Sequence, residues 1–292
     1  MKLPPFEPTK KIGIVALAGP MDAETLLEGE ALLQRLGFNV LIAPSCFERD
    51  RYLAGTSDEE RALDLQMLFA DEEIGAILNM RGGYGSNRLM PYLKNFDFSR
   101  YPKPFIGYSD ITYIHLFLNQ THRMKTYHGP MIKDLLTEHP QTLYGFFQTA
   151  LAEKKLVLSD VSYLNPSQMP LLGQSIGGNL TVVASTLGTA QEIDTRGRIL
   201  FLEEVGEAPY SVDRLLMQLI YSGKIHDCVG LVLGDFAGED QAGVWETIRR
   251  ILLPTQKTIA YGISAGHSVP NVTIPLAAPC LMDAQRATLH FG

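Results

Sequence analysis

The chain has 292 residues, a formal net charge of −7 and an apolar fraction of 46%, an ordinary globular composition at a length comfortable for two cores. The acidic balance supplies no basic stripe for a phosphate backbone, so nucleic acid is not an expected partner. Cys46, Cys228 and Cys280 are far apart, odd in number and without Cys-x-x-Cys spacing, which argues against a disulfide frame or zinc site and for reduced thiols.

The opening Met1-Lys-Leu-Pro-Pro-Phe-Glu-Pro8 has no apolar h-region, and no later apolar run approaches the roughly 20 residues that cross a bilayer. A cytoplasmic protein without a membrane partner is the expectation. Lys11–Leu17 reads as a buried strand, followed by a helix with Leu26, Leu33 and Leu36 on one face and Gly37 as its stop. Phe38–Ala43 is the next strand. Ser57-x-x-Glu60 reads as a capping box opening a helix that turns Leu65, Leu68 and Phe69 inward, and Gly75–Met80 is a third strand. A fourth strand ends at Ser109. Such alternation implies parallel strands joined by right-handed crossovers, with sites at their carboxyl ends, where Arg81-Gly-Gly-Tyr-Gly85 and Ser109 fall.

Two prolines and several small polar residues mark a change of texture near residues 159 to 174. The expected division is a nucleophile domain over residues 1–160, a linker over 161–174 and a second domain over 175–292. The latter reads as a helix from Asn179 to Leu187, a strand carrying Glu203, and a helix with Leu215, Leu216, Leu219 and Ile220. Strands at Val229–Asp235 and Thr258–Tyr261 and an extended tail follow.

Pro104-Phe-Ile-Gly-Tyr-Ser-Asp-Ile-Thr112 is an apolar run ending in Gly-x-Ser with an amphipathic stretch directly behind it, the pattern of a nucleophile elbow. Glu203, beside Glu204 in an apolar run, and His267, in the glycine-bearing loop from Gly262, follow in chain order. A serine needs a base, and the base needs a carboxylate to fix its tautomer, so these types together suggest acyl transfer. Arg81-Gly-Gly-Tyr-Gly-Ser-Asn-Arg88 lacks both the third dinucleotide glycine and the Gly-Lys-Ser/Thr of a phosphate loop. Its glycines instead bring backbone close to a substrate, or simply make a tight turn. No His-Glu-x-x-His or clustered ligand set is present, so neither a metal nor a cofactor is expected.

Six motifs occur together in a fixed order: Arg81-Gly-Gly-Tyr-Gly-Ser86, Gly107-Tyr-Ser-Asp-Ile-Thr112, His128-Gly-Pro-Met131, Gly177-Gly-Asn-Leu180, Leu200-Phe-Leu-Glu-Glu204 backed by Tyr210 and Asp213-Arg214, and Gly266-His267. In them the chain resembles the LD-carboxypeptidase family of serine peptidases, which also includes the microcin C self-immunity peptidases, from about Lys11 to about Ala284. The resemblance implies an α/β architecture, with a flavodoxin-like amino-terminal domain on a parallel sheet joined to a β-rich α/β carboxy-terminal domain. It also implies a homodimer, with the active site between the domains. It makes Ser109 the nucleophile, His267 the general base, Glu203 the carboxylate that holds it, and the backbone N–H groups of Gly83 and Asp110 the oxyanion hole. Arg81, Tyr84, Arg88 and His128 are candidates for binding substrate, a murein peptide from which a terminal D-alanine is released during peptidoglycan recycling. One departure is Ala277, where the family usually has glycine.

Each assignment has a plainer rival. Ser109 alone reads as a helix N-cap. Alternation lets only one of Glu203 and Glu204 face the site, and the other, taken as Glu204, would be an exposed strand residue. His115 reads as packed or interfacial, and His128 as either a pocket residue or a structural hydrogen bond at the hinge. His122, His139, His226 and His290 have no informative context. Two other functional readings stay open: an immunity-type peptidase cleaving an aminoacyl-nucleotide amide, and a flavodoxin-like binding protein without turnover. The loop Val205-Gly-Glu-Ala-Pro-Tyr210 lacks the tryptophan that would favour the first. An α/β-hydrolase esterase is disfavoured because Ile111 replaces the second elbow glycine.

Overall fold

The computed structural model describes residues 6–292, so residues 1–5 of the opening segment considered above lie outside the described residues. The first half builds β1 (Lys11–Val15), α1 (Ala23–Arg35), β2 (Asn39–Ile42), a short hairpin of β3 (Arg49–Asp50) and β4 (Leu53–Ala54), α2 (Asp58–Ala70) and β5 (Ile74–Asn79). It continues through α3 (Met90–Leu93), β6 (Phe105–Gly107), α4 (Thr112–Thr121) and β7 (Thr126–His128). The strands pair in parallel in the order β2-β1-β5-β6-β7, the flavodoxin-like arrangement.

Local sequence explains most of these elements, with two differences in detail. Asp22 accepts from Thr25 N at 2.8 Å to start α1, which buries Leu26, Leu32 and Leu33. Leu36, expected on that inner face, is the C-cap and 38% exposed, because Gly37 turns the chain away at a φ of 92°. Ser57 Oγ caps α2 by accepting from Glu60 N, but the reciprocal half of the box goes elsewhere: the Glu60 carboxylate takes Thr56 N at 2.5 Å and Thr56 Oγ1 at 2.7 Å. Leu65, Leu68 and Phe69 point inward as expected.

The second half continues with α5 (Ile132–Leu136), α6 (Pro140–Tyr144), β8 (Leu156–Leu158), β9 (Ser162–Leu164), β10 (Leu171–Asn179), α7 (Leu180–Ser185) and β11 (Arg198–Val205). Then come α8 (Pro209–Tyr221), α9 (Lys224–Asp227), β12 (Gly230–Ala237), α10 (Gln241–Leu252), β13 (Ile259–Tyr261), β14 (Ile274–Leu276), β15 (Pro279–Asp283) and β16 (Thr288–Phe291). A second sheet of mixed direction runs β8-β16-β15-β10-β11-β12-β13-β9, with β10 to β13 parallel. The stretch 161–174, expected as a linker, contains β9 and the start of β10. The tail read as merely extended forms strands of both sheets: β15 and β16 pair in the second, whereas β14 pairs antiparallel with β7 at the edge of the first.

The central strand β11 is covered on both faces. Leu200 and Leu202 pack with Leu216 of α8 and Ile248 of α10, while Ile199 and Phe201 pack with Ile274 and Leu276 of β14. Glu203 therefore faces the first sheet and Glu204 faces the helices. At Ala277 the backbone adopts a φ of 54°, the left-handed conformation for which the family's glycine would be suited, and Ala277 N donates to Ser175 O at 2.8 Å to hold it.

Candidate active site

Ser109 follows β6 with a φ of 64°, a left-handed conformation that costs a non-glycine residue about 1–2 kcal/mol and lifts its hydroxyl off the strand end. The turn is held from below. His115, fully buried, contacts Gly107 O through Nε2 and Thr126 Oγ1 through Nδ1, both at 2.8 Å, so it is the packed side chain expected. Burial pushes its pKa down to about 3, keeping it neutral.

The glycine-rich loop after β5 is fastened to this turn by Asp110. Ser86 N donates to Asp110 Oδ2 at 2.8 Å, and Ser86 Oγ donates to Asp110 O at 2.6 Å. A Cβ on Gly82 would lie 2.8 Å from Ser109 Cβ, so glycine is required for the loop to pass the nucleophile. Gly83, at a φ of 116°, and Asp110 both line the cavity onto which Ser109 opens.

The second sheet brings the base. Glu203 is fully buried and its Oε2 lies 2.8 Å from His267 Nδ1; the His267 side chain is 18% exposed. A Cβ on Gly266 would stand 2.6 Å from Glu203 Oε2, which is why glycine precedes the histidine. Tyr108 lies edge-on to the His267 ring with centroids 4.8 Å apart, and its hydroxyl donates to Asp134 Oδ1 at 3.1 Å. Burial opposes charge on His267, but the Glu203 hydrogen bond and charge outweigh it and raise the imidazole above its ordinary pKa. Burial likewise opposes the Glu203 charge, and its two histidine neighbours prevail and hold the carboxyl low. With Glu203 at Nδ1, Nε2 is the nitrogen left to accept a proton. Among the described residues no hydrogen bond yet joins it to Ser109 Oγ.

Other sequence expectations divide. His128 is fully buried behind Glu203: its Nε2 is 3.5 Å from Glu203 Oε1, and neither ring nitrogen has a hydrogen-bond partner. That places it behind the carboxylate of the Glu203–His267 pair. Glu204, expected at the surface, is 4% exposed, because α7 covers that face of β11. It accepts from Asn179 Nδ2, Thr181 N, Thr181 Oγ1 and Val205 N. Arg88 is paired with Asp58, Nε lying 3.0 Å from both carboxylate oxygens, in a depression apart from the Ser109 cavity. Arg81 donates to Pro20 O at 2.9 Å, and Tyr84 lies at the cavity, 47% exposed.

The two sheets meet at the elbow through glycine. Asn179 N donates to Thr112 Oγ1 at 3.0 Å, and Gly178, at a φ of 144°, leaves no room for a Cβ against the Thr112 side chain. Sequence reasoning missed the side-chain roles of Asp110, Asp134 and Glu204. Asp235 was also missed; it contacts Ser268 Oγ next to the histidine, and burial together with the Glu203 charge pushes its pKa up to about 6. Of these, Asp110 and Glu204 lay within motifs that could have drawn notice. No group of His, Cys, Asp or Glu among the described residues could hold a metal ion.

Comparison with known proteins meets this geometry. The LD-carboxypeptidase N-terminal domain matches residues 12–129 and the LD-carboxypeptidase C-terminal domain matches residues 172–282. A Bacillus subtilis protein described as "Probable murein peptide carboxypeptidase" is 34% identical, with 95% of this chain and 90% of the relative covered. The solved muramoyltetrapeptide carboxypeptidase of Oxalobacter formigenes superposes with a TM-score of 0.83 at 26% identity, covering 97% of this chain and 99% of the other. The microcin C7 self-immunity protein in complex with aspartyl sulfamoyl adenosine gives a TM-score of 0.89 at 22% identity, covering 100% and 98%, a likeness of fold.

Proposed function

The chain belongs to the LD-carboxypeptidase family of serine peptidases, and from that membership we propose that it cleaves the L,D-peptide bond that releases a terminal D-alanine from a murein tetrapeptide, through an acyl-enzyme on Ser109. The observation that carries the reading is the convergence of a nucleophile elbow from one sheet with a buried carboxylate–imidazole pair from the other. The murein names of the relatives support the substrate class.

In this reading His267 Nε2 takes the Ser109 proton as Oγ attacks the carbonyl, and the Gly83 and Asp110 N–H groups receive the oxyanion. Losing one such donor typically costs ~10²–10³ in turnover. Glu203 fixes the tautomer and stabilises the imidazolium, which then protonates the leaving amine. Water activated by His267 releases the acyl group. The Ser109–His267 hydrogen bond must form in the substrate complex, as catalytic contacts commonly tighten there. Peptidoglycan recycling in the cytoplasm by a homodimer completes the proposal; a monomer in light scattering would remove its last part.

The test is D-alanine release from L-Ala-γ-D-Glu-meso-diaminopimelate-D-Ala by the native protein and by Ser109→Ala, with an aminoacyl sulfamoyl adenylate as second substrate. Release from the tetrapeptide, lost in the variant, is expected. Turnover retained in Ser109→Ala would sink the serine mechanism, and cleavage of the adenylate alone would move the chain to the immunity branch.

A further inference from the structure

Between β13 and β14 the chain carries His267 from the second sheet to the first, and one buried residue of that segment is bonded in both directions. Asn271 is 1% exposed. Its Oδ1 accepts from Gly266 N, the peptide directly before His267, at 3.1 Å, and its own backbone N donates to Thr142 Oγ1 of α6 at 3.0 Å. Thr142 is flanked in the chain by Leu135 and Phe146, both packed in the core of the first sheet. On the other side Ala265 O accepts from Asp235 N of β12 at 2.9 Å, and Val272 N donates to Ser264 O at 2.8 Å to close the loop. The bond to Gly266 matters because that residue has no slack: a Cβ on it would stand 2.6 Å from Glu203 Oε2, the oxygen that holds His267 Nδ1. Asn271 Nδ2, by contrast, is buried without a partner among the described residues, a burden of ~1–3 kcal/mol, so the acceptor is the part of this amide that the site uses.

We infer that Asn271 is a positioning residue for the base: by holding Gly266 N it sets the imidazole of His267 against Glu203, and through Thr142 it fixes that pair relative to the sheet that bears Ser109. The inference rests on the serine-peptidase reading and adds to it a residue that acts only through His267, since Asn271 does not line the Ser109 cavity. The groups that face His267 are Glu203 in contact, Tyr108 edge-on, and Asp134 and Glu204 farther off, and substitution at residue 271 leaves all of them in place. Its effect is therefore geometric, on the two distances that proton transfer depends on, and a misplacement of about 1 Å costs up to ~10²-fold in rate.

The experiment measures kcat and KM for D-alanine release from the diaminopimelate tetrapeptide across pH, with urea denaturation of each protein. Asn271→Ala should lower kcat by about 10–100-fold with KM unchanged, and should lower the pH midpoint by about half a unit as the imidazole loosens from Glu203. Asn271→Asp keeps the shape and the acceptor and loses only the unpartnered Nδ2 donors, so it should recover kcat to within about threefold, with its midpoint at or above the native one. Thr142→Val removes the tie to α6 but leaves the bond to Gly266, and should lower kcat at an unchanged midpoint. Native kcat in Asn271→Ala, a kcat lost there at the native midpoint, or no recovery in a folded Asn271→Asp would each overturn the inference, and release still abolished in Ser109→Ala would leave the hydrolase standing. Should Asn271→Ala fail to fold, native kcat in a folded Thr142→Val would overturn it instead. No release by the native protein would remove the carboxypeptidase reading and this inference with it.

Discussion

His128→Leu couples catalytic positioning to stability in one substitution. Glu203 is a fully buried carboxylate with one oxygen held by His267 at 2.8 Å and the other facing His128 Nε2 at 3.5 Å. Removing that neighbour leaves Oε1 without a polar partner and frees the carboxylate to rotate away from His267. An ordinary hydrogen bond to a charged group contributes ~1.5–3 kcal/mol, and the long separation selects the lower end, so kcat should fall about tenfold with KM unchanged. Stability should fall with it, because Glu203 keeps its buried charge with one oxygen uncompensated, at a cost of ~1–3 kcal/mol in urea denaturation. His128→Gln, which can place an N–H where Nε2 lay, should recover part of both. Either kcat or folded stability unchanged in His128→Leu would refute the reasoning.

The pH profile of kcat/KM reads the His267–Glu203 pair. A base works only when unprotonated, and Glu203 raises the pKa of His267, so activity should rise with pH through a midpoint above 6.5 and be lost below it; a midpoint below 6 would contradict that coupling. Gly178→Ala should cost at least ~2 kcal/mol by urea denaturation. It forces a Cβ to within 2.7 Å of Thr112 Cγ2 at a φ of 144°, where the two sheets join. A cost under ~0.5 kcal/mol would show that the junction yields freely.

The elbow and the first sheet were legible because both are local patterns: an apolar run, a turn and a helix follow one another in sequence, and the crossovers fix the strand order. Glu204 was misread for a physical reason. Alternation states that neighbours on a strand face opposite ways, but not whether either face is open, and α7 closes the face of Glu204 from a distance in sequence. The partner of Arg88 and the position of His128 behind Glu203 depend on contacts across 30 and 75 residues, respectively, beyond any periodicity. The departure of β14 for the first sheet was equally illegible, since a three-residue strand carries no sign of which edge it will join.

That excursion of β14 ties the molecule together covalently as well as spatially. The chain leaves the second sheet at β13, forms the segment that holds His267, enters the first sheet at β14 and returns to the second at β15. The histidine thus rides on a strap anchored at both ends, one in each sheet. Cutting the chain near residue 160 would separate β7 from its edge strand and β16 from β8, leaving each fragment with an open edge that its counterpart supplies. Reassembly of the two pieces would be the only route back to a site containing both serine and histidine, so this architecture resists being divided into reusable modules.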